Sequence, residues 1–401
     1  MINNKRIADE KNTVVNRSER FLQVHNGKIF NRRGEEVVLR GVNLGGWLIQ
    51  ESWMCPVNGE DRKWANLDTL HALEDRFTLD QVQELFDTYQ DHWITEEDIA
   101  NMAAMGCNAL RIPFWYRNFM TDENGNWITA DPEQNPGFKR LDWAINTAER
   151  FGLYVILDLH GAPGGQSMDH CCGTLMENRL YTEEKCQAAM EELWRAIAKR
   201  YEGCPTVAAY DIMNEPQNNG GYEGKNSYDP WDSQSWEYSN QIYDRMIKAI
   251  RAVDREHIIT VEGIWRVGNL PDPVKMGWDN MMYQTHLYDD DIGFEKWCAE
   301  MTEVTEQYGV AGYIGEFQNL NGIIICNRRH ISWSTWTYKG TGTDTGTFFW
   351  YFGEPEEVDV RSDSFAEIQR KWGEPLRTCN FREKTAVTAY IRGYSDGSIE
   401  L

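Results

Sequence analysis

No stretch of this chain is apolar for long enough to span a bilayer. Positive charge is scarce: 40 Lys and Arg stand against 63 Asp and Glu, a formal charge of −23. So acidic a chain is not suited to nucleic acid, an anionic membrane surface or another polyanion, and a neutral partner fits it better. Met1 to Arg20 is polar and charged and lacks an apolar core, so it does not read as an intact signal peptide. Cysteine is neither abundant nor patterned. Nine is an odd number and the residues are scattered, which favours reduced thiols and a cytoplasmic location. A chain whose leader had been removed would read the same way. His170-Cys171-Cys172 suggests a metal, but neighbouring side chains rarely converge on one ion, and no second Cys/His pair has ligand spacing. No metal or cofactor is expected. There is no internal repeat, low-complexity tract or interdomain linker.

What is present is an alternation of short apolar runs with helical spacing. Residues 1–20 read as a polar extension and 21–401 as one α/β domain, a length that a single barrel with insertions fills. Turn signals at Asn26-Gly27 and Arg33-Gly34 predict a hairpin that closes one end. Eight strand-like runs follow. They are Val37 to Trp47, Ala109 to Pro113, Tyr154 to His160, a fourth from Val207 to Glu215, Ile258 to Glu262, Met281 to His286, Ala311 to Phe317 and Ile331 to Trp336. Helical spacing lies between them, notably over Glu96 to Met105, Leu141 to Phe151, Glu183 to Tyr201 and Trp236 to Val253. Eight strands with intervening helices predict a (β/α)₈ TIM barrel. Gln50 to Asp91 is a long insertion after the first strand, with Thr78 to Tyr89 helical inside it. Phe317 to His330 leaves room for a helix of about ten residues, but Ile323-Ile324-Ile325-Cys326 shows no clean helical spacing. Aromatic residues make up 12% of the chain, 17 of them Trp, so some are expected to be flat binding platforms while most pack.

Two of the strands end in a carboxylate. Pro216 cannot donate to a strand ladder and disfavours helix before it, so the fourth strand is expected to stop at Glu215. The seventh delivers Glu316. Paired carboxylates on strand tips are what glycoside hydrolysis needs. From about Phe21 to Gly340 the chain resembles glycoside hydrolase family 5, and within it the exo-β-1,3-glucanases. The segments that carry this are RGVNLGGW (Arg40 to Trp47), HWITEEDI (His92 to Ile99), NALRIP (Asn108 to Pro113), LDLHGAPGGQ (Leu157 to Gln166), NEP (Asn214 to Pro216), HLY (His286 to Tyr288), GEF (Gly315 to Phe317) and WTYK (Trp336 to Lys339). The resemblance implies Glu215 as acid/base and Glu316 as nucleophile of a retaining mechanism, with no metal or other cofactor.

Each supporting residue has a plainer reading beside the functional one. An Arg inside a barrel strand needs a buried partner, and Arg111 is assigned to orient Glu316 and keep it ionised; otherwise it counters a surface acid. Asn214 either caps a turn or, as the resemblance implies, binds a sugar 2-hydroxyl. His160 and His286 are core histidines or strand-end sugar contacts. The resemblance gives Tyr288 a hydrogen bond to the nucleophile and Trp336 the place of a platform under the reacting sugar, with Tyr338 nearby as a competitor. Glu51 keeps the spacing after Gly45-Gly46-Trp47 at which the exo-enzymes bind outer sugar hydroxyls; its plain reading is an exposed loop Glu. Two departures bear on specificity. The segment after Glu316 lacks a long insertion, and His-Cys-Cys stands where the family's loop is rich in Asn. The expected partner is a neutral β-linked oligo- or polysaccharide. Exo action on β-glucosides or β-1,3-glucans is expected, with an endo-β-1,4-glucanase as the alternative. A non-catalytic carbohydrate-binding barrel is the third reading.

Overall fold

The computed structural model describes residues 17–57, 64–217, 231, 233–342 and 349–394. A hairpin of β1 (Leu22–His25) and β2 (Lys28–Asn31) precedes eight parallel strands. These are β3 (Arg40–Asn43), β4 (Ala109–Trp115), β5 (Tyr154–Gly161), β6 (Val207–Asp211), β7 (Ile258–Glu262), β8 (Met281–Leu287), β9 (Ala311–Phe317) and β10 (Ser332–Thr335). They close in sequence order, β10 returning to pair with both β9 and β3, which is the expected (β/α)₈ barrel. The hairpin covers its lower end. Leu22 and Ile29 pack there with Leu39, Ala109, Ile156 and Ile258 in an apolar cluster separate from the main core.

The helices are α1 (Asn66–Glu74), α2 (Leu79–Trp93), α3 (Glu96–Ala104), α4 (Pro136–Arg150), α5 (Glu184–Tyr201), α6 (Ser233–Arg251), α7 (Pro273–Met276), α8 (Asp291–Tyr308), α9 (Asn321–Arg328), α10 (Phe365–Trp372) and α11 (Thr385–Tyr394). A small sheet of β11 (Lys339–Thr341), β12 (Tyr351–Gly353) and β13 (Arg382–Glu383) follows the barrel, with α10 and α11; the sequence reading stopped short of all of these. None of the helices is long and apolar enough to cross a membrane, among the described residues. All nine cysteines are free thiols.

The insertion after β3 contributes α1 and α2. Thr78 caps α2, its hydroxyl accepting from Gln81 N. The helix then fastens the glycine turn that leaves the barrel. Tyr89 donates to Gly46 O (2.6 Å) and Trp93 to Gly45 O (3.0 Å), while Trp47 donates back to Gln90 O (2.9 Å). Gly46 has φ +76, and a Cβ there would press on Cys55 Sγ. This anchoring places Glu51 at the site.

The segment after Glu316, left open with room for a helix of about ten residues, is helical: α9 spans Asn321–Arg328. Its residues Ile323 to Cys326 are all buried, so the helix has no polar face there and leaves no 3.6-residue alternation to read. One expectation needs correcting: the fourth strand does not reach Glu215. Pairing ends at Asp211, and the chain runs on as a buried loop through Ile212 and Met213.

Candidate active site

The upper end of the barrel is filled by polar side chains around one guanidinium. Arg111, on β4, is fully buried. Its Nε donates to Asp211 (2.8 Å), Nη1 to Glu316 Oε1 (2.8 Å) and Asn43 (3.0 Å), and Nη2 to Asn214 Oδ1 (2.9 Å); Asp158 lies 3.2 Å from Nη2. Successive side chains of a strand alternate faces, so Asp158 and His160 of β5 both point inward, as do Gln284 and His286 of β8. Charge is unequal here: one cation meets Asp158, Asp211 and Glu316. Burial pushes the Asp211 carboxyl up to about 7, against the pull of Arg111. Gln284 also donates to Asp211.

Glu316 lies inside β9. Besides Arg111, Tyr288 donates its hydroxyl to Oε2 at 2.8 Å. A register shift between β8 and β9 sets His286 opposite Glu316, with Gly315 as the extra residue. A Cβ at Gly315 would run into the Gln284 carboxamide oxygen and the His286 ring. That close approach is why the residue before the carboxylate is glycine.

Glu215 is held differently. It stands four residues beyond the end of β6, with φ +41, a left-handed conformation uncommon outside glycine. Its backbone N–H donates to Glu262 Oε2 (2.7 Å), and its Oε1 lies 2.9 Å from His286 Nδ1. The preceding residue is tied to β5: Asn214 N donates to Leu159 O (3.1 Å), and the Gln166 amide donates to Asn214 O (2.9 Å) and His160 O (2.8 Å). Burial pushes the Glu215 carboxyl up to about 7, although His160 and Arg111 pull it down. Burial pushes His286 down to about 3, so its imidazole is neutral across the working range. For His160 burial is outweighed by Asp158, 2.8 Å from Nδ1, and the ring is held above the ordinary histidine value.

The remaining expected residues lie around this centre. Trp336 follows β10, is buried, and stacks on the His160 ring (centroids 5.5 Å apart, 14° between planes). Tyr338 is core: its hydroxyl donates to Asp98 at 3.0 Å. Glu51 is no exposed loop residue. It is 5% exposed, accepts from Trp53 Nε1 (2.8 Å) and lies 4.0 Å from His170 Nε2. The His170 loop thus closes one side, and Cys171 is near enough to Glu51 and Glu215 that, after burial, their charges hold its thiol high.

So the geometry joins Glu215, Glu316, Arg111, His160, Asn214, His286 and Tyr288 through hydrogen bonds or ion pairs, and brings in Trp336 through His160. Glu51 joins them less directly: it contacts Trp53 and His170, and its charge reaches Cys171 and Tyr288. Asp158, Asp211, Glu262 and Gln166 were not expected at the site. Asp158 shares a strand face with His160, and Glu262 closes β7 as a third strand-end carboxylate; both signals lay in the sequence. Glu215, Glu262 and His286 also bring three potential metal-ligand atoms within 4.8 Å of one another, but the contact of His286 with Glu215 accounts for that grouping as a hydrogen-bonded network.

Comparison with known proteins adds the family. The model described as Cellulase (glycosyl hydrolase family 5) matches residues 70–352. A beta-xylosidase of Phanerodontia chrysosporium is 27% identical over 366 residues, 80% of this chain and 71% of that relative. A glucan 1,3-beta-glucosidase of Blumeria graminis is 35% identical over 185 residues, 45% of this chain and 41% of the relative, less than half its length. Among solved structures, the rutinosidase from Aspergillus niger superposes with a TM-score of 0.60 at 17% identity, over 82% of this chain and 93% of that one. Endoglucanase Cel5A from Thermotoga maritima gives 0.52 at 17% identity, over 88% and 96%. At such identities the solved structures share the fold alone. The family match runs from α1 to β12 and takes in both candidate carboxylates: the chain belongs to glycosyl hydrolase family 5.

Proposed function

We propose that this glycosyl hydrolase is a retaining, exo-acting enzyme for neutral β-glucosides or β-1,3-glucans, with Glu215 as acid/base and Glu316 as nucleophile. One observation carries the assignment. The two carboxyls flank a single ring nitrogen, His286 Nδ1 lying 2.9 Å from Glu215 Oε1 and 3.6 Å from Glu316 Oε2. Their nearest oxygens are therefore separated by no more than the sum of those contacts. That suits the roughly 5–5.5 Å of retaining enzymes better than the roughly 6.5–9.5 Å needed to admit a water.

The partners divide the labour. Arg111 and Tyr288 donate to Glu316, which stabilises a carboxylate ready to attack the anomeric carbon. Among the described residues no Lys or Arg stands at contact distance from Glu215, and burial keeps its proton near neutral pH. In the first step a Glu316 oxygen bonds to the anomeric carbon while Glu215 gives its proton to the departing glycosidic oxygen. Once Glu316 is an ester its charge is gone, and Glu215 takes a proton from the water that attacks the same carbon. Asn214, fixed by Arg111 and β5, faces the 2-hydroxyl, and Trp336 backed by His160 is the platform.

Glu51, buried beside Trp53 and His170, supports a pocket closed at one side and hence exo action. The charge of −23 favours an uncharged substrate. The beta-xylosidase match, which covers 80% of this chain, favours a second reading for the sugar alone, a β-xyloside. Two comparisons test these readings. Aryl β-glucoside against aryl β-xyloside decides the sugar. Time courses on free and end-blocked β-glucan decide the mode: one small sugar from the start and no attack on the blocked chain are expected, and equal rates on both would end the exo reading.

A further inference from the structure

We propose that Glu262 is a positioning residue for the acid/base, gripping the backbone N–H of Glu215 and so fixing the direction in which Glu215 presents its proton. The proposal rests on the acid/base role given above to Glu215.

The need for such a grip follows from the end of β6. Ladder pairing stops at Asp211, and Glu215 has φ +41 immediately before Pro216. An L residue holds that conformation when its surroundings over-determine it. On one side the loop is tied to β5 through Asn214 and Gln166. On the other, the tie to β7 is the bond from Glu215 N to Glu262 Oε2, at 2.7 Å. At that distance a carboxyl oxygen accepting from a buried N–H makes a short, directional bond.

Glu262 is itself held firmly. It closes β7 in register with Gln284 of β8. Tyr243, buried on α6, both accepts from Glu262 N and donates to Glu262 O, each at 3.1 Å. The other carboxylate oxygen of Glu262 is 3.5 Å from His286 Nδ1, the atom that also contacts the Glu215 carboxyl. One side chain therefore touches the backbone of the acid and faces the imidazole that fixes the acid's head. Burial, and after it the charge of Glu215, hold the Glu262 carboxyl well above its usual range, while Arg111 and Asp211 also face it. Glu262 needs no proton transfer to act; it needs an oxygen in the right place.

The test is a leaving-group series, from dinitrophenyl to alkyl β-glycosides, measured with the full chain and with Glu262→Ala, Glu262→Gln and Glu215→Gln. Misaiming an acid costs most where the leaving group needs protonation. Glu262→Ala should lose about 10²-fold in kcat/KM on alkyl glycosides and about threefold or less on dinitrophenyl glycosides. Glu262→Gln keeps an oxygen that can accept the Glu215 N–H and should recover most of that loss. A loss uniform across leaving groups, or Glu262→Gln as impaired as Glu262→Ala, overturns the proposal. Should Glu262→Ala fail to fold, Tyr243→Phe, which loosens Glu262, must show the same leaving-group pattern in smaller degree; a uniform change or none contradicts the proposal. Glu215→Gln separates the two levels. If it lacks leaving-group dependence, the role of Glu215 falls first; if it shows that dependence and Glu262→Ala does not, Glu262 alone is wrong.

Discussion

Glu316 sits within a strand, under an arginine and a tyrosine that both donate to it. Glu215 sits four residues past its strand, in a left-handed backbone conformation, with a neutral imidazole and another carboxylate for neighbours. The same residue type is thus placed in two environments of opposite sense. Two donors hold the Glu316 oxygens in place; burial around Glu215 favours the protonated form. The lesson lies in the supports. A nucleophile that must hold one orientation needs a donor on each oxygen at the upper end of the barrel. A carboxyl that must keep its proton needs burial and a backbone held from two sides.

The largest break in this contrast comes from the cation. Arg111→Leu leaves Asp158, Asp211 and Glu316 buried without their shared partner. We expect stability to fall by about 3–5 kcal/mol and activity to fall for all leaving groups alike, because the nucleophile loses the donor that orients it. Denaturant unfolding and kcat/KM on an aryl glycoside check this; a stable, active variant would show that the guanidinium does not hold the site. The charge-conserving Arg111→Lys should fail almost as badly, since a point charge cannot serve Asn43, Asp211, Asn214 and Glu316 at once.

A smaller effect is expected from pH. Glu215 must be protonated for the first step, so kcat/KM should decline as pH rises through about 7. Glu215→Gln should abolish that limb on activated substrates while leaving the acid side in place. The same raised values enter stability. Glu215 and Asp211 have folded-state values of about 7 against 4.5 and 3.8 for the ordinary groups. Between those limits the folded state binds more protons than the unfolded chain, so these two groups make the fold less stable as pH rises from about 4 to 7. Melting temperatures across that window, compared between the parent and Glu215→Gln, should show a weaker decline in the variant.

The barrel was legible because eight apolar runs recur between helical spacings, and the site because several of those runs end in residues with chemistry. Where the reading failed or stayed open, burial had replaced periodicity. Ile212 and Met213 are as buried as β6 itself, so the apolar run hid the point where pairing stopped and Glu215 was assigned to a strand. The run Ile323 to Cys326 belongs to a helix buried in the same way. Glu51 could not be placed from sequence because its burial depends on Trp53 and the His170 loop, which fold over it from outside the barrel. Asp158, Asp211 and Glu262 ended or lined strands already recognised, but their convergence on Arg111 and Glu215 is a product of barrel closure and has no local signature.

The contrast between the two carboxyls is tested most directly by azide rescue with product stereochemistry. Glu316→Ala and Glu215→Ala are each given an activated aryl β-glycoside and azide, and the glycosyl azide is identified by NMR. If Glu316 is the nucleophile, azide fills its place and yields the α-glycosyl azide in a single inversion. If Glu215 is the acid/base, azide in its variant intercepts the Glu316 ester from the other face and yields the β-glycosyl azide. Opposite anomers are expected from the two variants; the same anomer from both, or the reverse assignment, would contradict the roles of Glu316 and Glu215.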